Sequence, residues 1–170
     1  MMDVATNDQL RTQLVELLRN GNAHMPVSEA TADFPDAMIN RRPRNVTYTF
    51  WHLLEHLRLT QRDILDYVTD PDYEEREWPR DYWPAPDAEA TPQEWNETIS
   101  AFWRDLEKLI AIVEDDATDL FATVPSHDEH TILREMLIVA DHNAYHIGEL
   151  AILRQTEAAW GPKHDTDAQV

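Results

Sequence analysis

Four long stretches of this chain carry apolar residues at helical spacing, separated by polar or proline-broken connections. Asn7 to Asn20 places Leu10, Leu14, Leu17 and Leu18 on one stripe, and Gly21 suits the position just past a helix end. Thr49 to Thr69 gathers Phe50, Leu53, Leu54, Leu57, Ile64, Leu65 and Val68 on one side before Asp70-Pro71 stops it. The third helix opens at Thr91-Pro92-Gln93-Glu94, with Thr91 as N-cap, Pro92 in the first turn and Glu94 closing a capping box. It runs to about Glu114 and turns Trp95, Ile99, Phe102, Trp103, Leu106, Leu109, Ile110 and Val113 inward. The fourth, from about Thr131 to Thr156, collects Ile132, Leu133, Met136, Leu137, Ala140, Ala144, Ile147, Leu150 and Ala151 on its apolar face.

The connections are less regular. Residues 22–48 are mixed: Ser28 to Asn40 predicts a short helix broken at Pro35, and Arg41-Arg42-Pro43-Arg44 a loop. Asp70 to Ala90 is proline-rich and holds Trp78-Pro79-Arg80-Asp81-Tyr82-Trp83-Pro84. Its large rings need something to cover, either as plugs at a bundle end or as a pocket wall. Asp115 to Glu129 is acidic, with one turn expected at Asp119-Leu120-Phe121. Gly161-Pro162 should end regular structure and leave a loose polar tail to residue 170. No stretch reads as a strand and no segment repeats. The expected fold is therefore all-α, a four-helix bundle with long crossover connections, in one domain with its core at about residues 7–160.

Composition narrows the function classes. With 170 residues the chain is long enough for a sizeable core. The absence of cysteine removes disulfides, thiolate metal sites and a cysteine nucleophile. Fourteen basic against 33 acidic residues give a net charge of −19. That excludes the basic footprint of a nucleic-acid binder and disfavours anionic membranes, so neither nucleic acid nor membrane is an expected partner. Lys108 and Lys163 are the lysines, and the other basic residues are arginine. Such a balance fits either a high-salt cytoplasm or simply a soluble acidic surface. The N-terminal Met1 to Asp8 has no basic n-region or apolar h-region, and no run approaches the ~18 apolar residues of a membrane span. The expected location is cytoplasmic. The glycines Gly21, Gly148 and Gly161 provide no phosphate loop or nucleophile elbow, and Ser28, Ser100 and Ser126 lie in no triad context.

The histidines carry the chemistry. His142 and His146 are four apart on the fourth helix, hence neighbours on one face, and they flank its apolar side next to Glu135 and Glu149. Two imidazoles so placed can grip one metal ion. Asn143 stands where the helix of a zinc protease has its glutamate base, which argues against a protease. On the second helix His56 falls just off the apolar edge, near Thr60 and Tyr67, while His52 points further out toward solvent. Spacing therefore ranks His56 above His52 as a residue that looks into a cavity; the two are themselves an i,i+4 pair, so a four-histidine site stays open, although His52 faces the wrong way for it. Incidental surface or packed histidines are the competing reading. His24, His127, His130 and His164 lie in loops, at helix ends or in the tail and receive no role.

Five segments in order resemble the DinB-like superfamily. They are Trp51-x-Leu53-Leu54-x-His56, Gln61-x-Asp63-Ile64-Leu65, Trp78-Pro79-x-x-Tyr82-Trp83-Pro84, Leu133-Arg134-Glu135 and Asp141-His142-Asn143-Ala144-Tyr145-His146-x-Gly148. The resemblance covers roughly residues 22 to 160. It implies a four-helix bundle, often a homodimer, with a divalent ion held by one histidine of the second helix and two of the fourth: His56, His142 and His146. Glu149 departs from the glutamine expected there. Asp63 and Glu135, each two turns from a ligand histidine, could orient an imidazole from behind, although the simpler reading makes both ordinary exposed carboxylates. Trp78, Tyr82 and Trp83 are candidate pocket-wall residues. No residue stands out as general base.

Characterised relatives include thiol S-transferases that use low-molecular-weight thiols, a thiol-dependent isomerase and metal-dependent hydrolases. The resemblance thus implies an enzyme of the S-transferase or hydrolase type. It would act on a small molecule, with a low-molecular-weight thiol as cosubstrate in the first case and zinc, nickel or iron as the ion. The alternative is a non-catalytic metal- or small-molecule-binding stress protein.

Overall fold

The computed structural model describes residues 4–127 and 129–161. Its helices are α1 (Val4–Asn20), α2 (Val27–Thr31), α3 (Phe50–Thr69), α4 (Pro92–Glu114) and α5 (Ile132–Thr156), with a single 3-10 turn at Asp36–Met38. An isolated bridge between Thr123 and Thr131 is the only β feature among the described residues. The expected all-α fold is what forms. The region after α1 yields two short helical pieces on either side of Pro35, as its sequence predicts. α1 itself begins at Val4, ahead of the expected Asn7.

Local chemistry sets the helix ends. Gly21 adopts φ 68°, its N–H bonds the Leu17 carbonyl at 3.0 Å, and a Cβ there would lie 2.3 Å from the His24 ring. Thr91 and Glu94 form the reciprocal capping box of α4, with bonds of 3.2 and 2.7 Å. α3 uses the same device with an imidazole in place of a carboxylate. Thr49 Oγ1 accepts from the His52 N–H at 3.1 Å, and His52 Nδ1 accepts from the Thr49 N–H at 3.4 Å.

The four long helices pack in the ring α1–α4–α3–α5. Contacts from Arg19 to Glu107 and from Arg11 to Val113 show that α1 and α4 run antiparallel. Trp51 to Thr98 and Gln61 to Phe102 make α3 and α4 parallel. Tyr67 to His130, His56 to His142 and Tyr48 to Glu149 make α3 and α5 antiparallel. α1 and α3 are thus diagonal, as are α4 and α5, and the connections joining each pair cross the bundle. This is the crossover topology that the long connections lead one to expect.

The core is built largely from the predicted stripes, joined by Val139 of α5, which lies outside the predicted face and is buried. Phe50, Leu53, Leu54 and Leu57 of α3 meet Phe102, Leu106, Leu109 and Ile110 of α4, with Met136, Val139, Ile147 and Leu150 of α5. Leu137 is a correction: expected in the core, it is 48% exposed. The apolar positions of α5 spread round more than one side, so spacing alone did not fix which side the bundle would cover. A charge takes a place that the stripe did not claim. Arg154 is buried, donates to the carbonyls of Ala30, Ala32 and Ala159 at 2.8, 3.1 and 3.1 Å, and lies 3.8 Å over the Trp160 ring. Burial lowers its pKa to about 10. Among the described residues no helix is long and apolar enough to cross a membrane. The expectations for Met1 to Asp3 and for the tail at 162–170, including Lys163 and His164, fall outside the described residues.

Candidate metal centre

α3 supplies His56, and one face of α5 supplies His142 and His146. One ring nitrogen from each lies within 4.8 Å of the others. The Nε2 atoms of His56 and His142 are 3.2 Å apart. Nitrogens bound at about 2.1 Å around one tetrahedral ion stand about 3.4 Å apart, so this spacing suits a shared ion. The antiparallel register of α3 and α5 creates the cluster. It sets His56 opposite the i,i+4 pair, with ring centroids 5.0 and 4.8 Å away.

The outward nitrogens are tied back. His56 Nδ1 lies 2.8 Å from the Tyr82 carbonyl oxygen, and His146 Nδ1 lies 2.8 Å from Glu149 Oε2. A carbonyl and an ionised carboxylate only accept, so both Nδ1 atoms carry a proton; on the neutral His56 ring this leaves the Nε2 lone pair facing His142. Glu149 also accepts from the Tyr48 hydroxyl through Oε1. Burial pushes the Glu149 carboxyl up, but the bonds from His146 and Tyr48 outweigh it and hold the group below the usual range. Burial lowers His56 to about 4 and His142 to about 3, in both cases assisted by the neighbouring histidines. Near neutral pH these two imidazoles are uncharged, the form that binds metal.

The loop between α3 and α4 covers the cluster. Trp83 stacks flat on the His56 ring, with centroids 3.9 Å apart and planes 6° from parallel, and also meets Tyr48 at 5.2 Å. Tyr82 contributes its backbone carbonyl to His56 and turns its hydroxyl to Asp63 at 2.7 Å. Trp78 stands at the rim, 66% exposed, with its ring 6.3 Å from that of His56. A cavity of about 440 Å³ lies further along α3, on the Asp63 side of Tyr82, lined by Asp63, Tyr67, Tyr73, Tyr82, His130 and Glu135 among others and by none of the three clustered histidines.

The remaining expected residues fare differently. Glu149 touches a cluster histidine directly. Asp63 and Glu135 do not: Asp63 accepts from Tyr73, Tyr82 and Arg76, while Glu135 pairs with Arg134 and approaches His130 at 3.9 Å. Both are buried, which corrects the expectation of ordinary exposed carboxylates. Their partners come from loop residues and helix ends that a single-helix projection omits. His52 is also corrected. It does not face solvent but is 3% exposed, because residues 86–90 fold across it and its Nε2 bonds the Ala88 carbonyl at 2.9 Å. It stays outside the cluster, as its ranking anticipates.

Sequence reasoning assigned no part to Tyr48 or to the Asn143–Gln61 pair. Asn143 points into the bundle and donates to Gln61 Oε1 at 3.0 Å, and Gln61 donates to the Phe102 carbonyl at 2.7 Å. Two buried amides at apolar-stripe positions were the available signal for that link. Tyr48 lies 101 residues from Glu149 and gave none.

A family model described as the DinB superfamily matches residues 8–150. Comparison with curated proteins and with solved structures gave no match. The matched span contains all three clustered histidines, Glu149 and the loop that covers them. With a matching family model over most of its length and a helical fold that agrees with it, the chain belongs to the DinB superfamily.

Proposed function

We propose that this protein is a cytoplasmic, divalent-metal-dependent enzyme of the thiol S-transferase or hydrolase type, acting on a small molecule. The observation that carries the reading is the convergence of His56, His142 and His146 with the back nitrogens of two of them already bonded. That donor set leaves room in the coordination sphere for a further ligand, as catalytic sites require. Imidazole donors suit zinc, nickel and iron. When bound, such an ion lowers the pKa of a thiol or water and positions it as a nucleophile. The protein's part is to hold the neutral His56 imidazole in one tautomer and to limit water on one side of it with the Trp83 ring.

A second reading, a non-catalytic metal- or small-molecule-binding protein of stress physiology, draws on a specific observation. Glu149 and Asp63, the carboxylates tied to the cluster directly or through Tyr82, are already engaged by two and three partners, so neither is a free general base. A homodimer, the assembly that family membership suggests, draws support from exposed Leu137, Tyr145 and Ile152 on the outer side of α5.

Elemental analysis after soaking in zinc, nickel, iron or manganese tests the metal. One tightly held ion per chain is expected, and a chain that takes up none overturns the reading. His142→Ala should weaken metal binding by at least about 100-fold and abolish turnover while helix content by circular dichroism persists. Stoichiometric metal without turnover for any thiol and electrophile pair, or any hydrolysable ester or amide, would favour the second reading.

A further inference from the structure

The loop between α3 and α4 is anchored to α3 at one buried carboxylate. Asp63 accepts from the Tyr73 hydroxyl at 2.9 Å, from the Tyr82 hydroxyl at 2.7 Å and from Arg76 Nε at 3.0 Å. Arg76 also reaches Asp66, one turn further along α3, at 3.0 Å. Asp63 is two turns from His56, about 10 Å along the helix axis, and makes no contact with it. Tyr82 spans that gap. Its hydroxyl is held by Asp63, and its backbone carbonyl accepts the His56 Nδ1 proton at 2.8 Å. The next residue, Trp83, lies flat on the same imidazole. The far end of the loop is secured elsewhere, by His52 at Ala88 and Asn40 at Ala90.

We propose that Asp63 is the positioning residue of the three-histidine cluster. By clamping Tyr82 it keeps a carbonyl at His56 Nδ1, which holds the ring in the Nδ1–H tautomer with its Nε2 lone pair turned toward His142 and His146. The physical case is local. A neutral imidazole can carry its proton on either nitrogen, and the partner of one nitrogen decides which. With the proton on Nε2, His56 cannot donate to an ion. A backbone carbonyl in a connection without helix or strand is a dependable partner only if the connection is pinned nearby. Asp63 pins it with two hydroxyls and a guanidinium, the last a charge-assisted bond of the stronger kind. Its effect on metal affinity rests on the metal reading above, whereas its effect on the tautomer does not.

Two substitutions and a control test this. Tyr82→Phe removes the clamped hydroxyl but keeps the ring and the carbonyl, and Asp63→Asn removes the charge with little change of shape. Tyr67→Phe deletes a hydroxyl of the same helix that bonds His130 and not Asp63, and it keeps the ring that packs on Tyr73. Nitrogen-15 shifts of the histidine rings in metal-free protein report the tautomers, with His146, held by Glu149, as internal reference. Zinc affinity is read by competition with a chromophoric chelator. Wild type and Tyr67→Phe should show His56 protonated on Nδ1 and equal zinc affinity. Tyr82→Phe and Asp63→Asn should show mixed His56 tautomers, an unchanged His146, and zinc binding weaker by roughly tenfold. If His56 remains wholly Nδ1-protonated in both variants, the proposal is overturned. Should Asp63→Asn not fold, Tyr82→Phe decides by the same criterion. If the wild-type chain takes up no zinc, the metal reading falls and the tautomer alone decides the role of Asp63.

Discussion

At the scale of single residues, His56 and His142 pay for their positions with basicity. Burial removes the water that would solvate a charged imidazole, and the facing histidines add repulsion, so they sit at about 4 and about 3 instead of 6.5. An unfolded chain would protonate both near 6.5. Between pH 6.5 and about 4 the unfolded state therefore binds more protons, and the metal-free fold should lose stability as pH falls through that window. Urea midpoints of metal-free protein at pH 7 and pH 5 measure this. His142→Gln, which cannot take up the proton, should show a shallower loss; an equal loss would mean that His142 titrates normally. Carboxylates common to both proteins cancel in the comparison. The identity of the clustered residues was largely legible. His142 and His146 declare themselves by spacing, and His56 lies at the edge of a stripe. His52 was misplaced because its cover comes from Ala88, 36 residues further on, and no helical projection includes a neighbour that distant.

At the scale of elements, α3 and α5 contrast. α3 turns Leu53, Leu54, Leu57 and Leu65 to the core, and every apolar residue of its predicted stripe is buried, although His52, His56, Gln61 and Asp63 are buried with them. α5 buries Met136, Val139, Ile147 and Leu150 on one side yet leaves Leu137, Tyr145 and Ile152 on another, Tyr145 at 70% exposure. A helix with apolar residues beyond its covered face is expected to meet a partner. If that partner is a second copy, wild-type protein should sediment as a dimer at micromolar concentration, and Leu137→Glu with Ile152→Glu should sediment as a monomer. Metal content should not change, since both positions lie on the outer side of the helix. A wild-type monomer would remove the homodimer reading. The caps were legible for a related reason: Thr91 with Glu94 involves residues three apart, so the chain needs no tertiary information to form them. The loop between α3 and α4 was legible only as a need for cover. That Trp83 would stack on His56 while Trp78 stayed at the rim depended on where Asp63 pinned Tyr82.

At the scale of the whole molecule, a net charge of −19 on 170 residues makes the folded state repel itself. Added salt shortens the screening length from about 10 Å at 0.1 M to about 3 Å at 1 M. If the acidic surface is a high-salt adaptation, the melting temperature should keep rising into molar KCl; a flat response would leave the charge as a matter of solubility alone. The helices, their caps, their apolar faces and the absence of cysteine, phosphate loop or basic footprint were all determined by the sequence itself. They arise from neighbours within a few positions or from composition, and such terms do not depend on which segments later meet. Tertiary structure alone decided which helices became neighbours, the burial of Asp63, Glu135 and Arg154, and the covered side of α5. It also made the histidines into a centre. His56 and His142 stand 86 residues apart, and only the antiparallel register of α3 against α5 brings their nitrogens to 3.2 Å. Periodicity places a side chain on a face, but the partner opposite that face is chosen by the packing of the entire bundle.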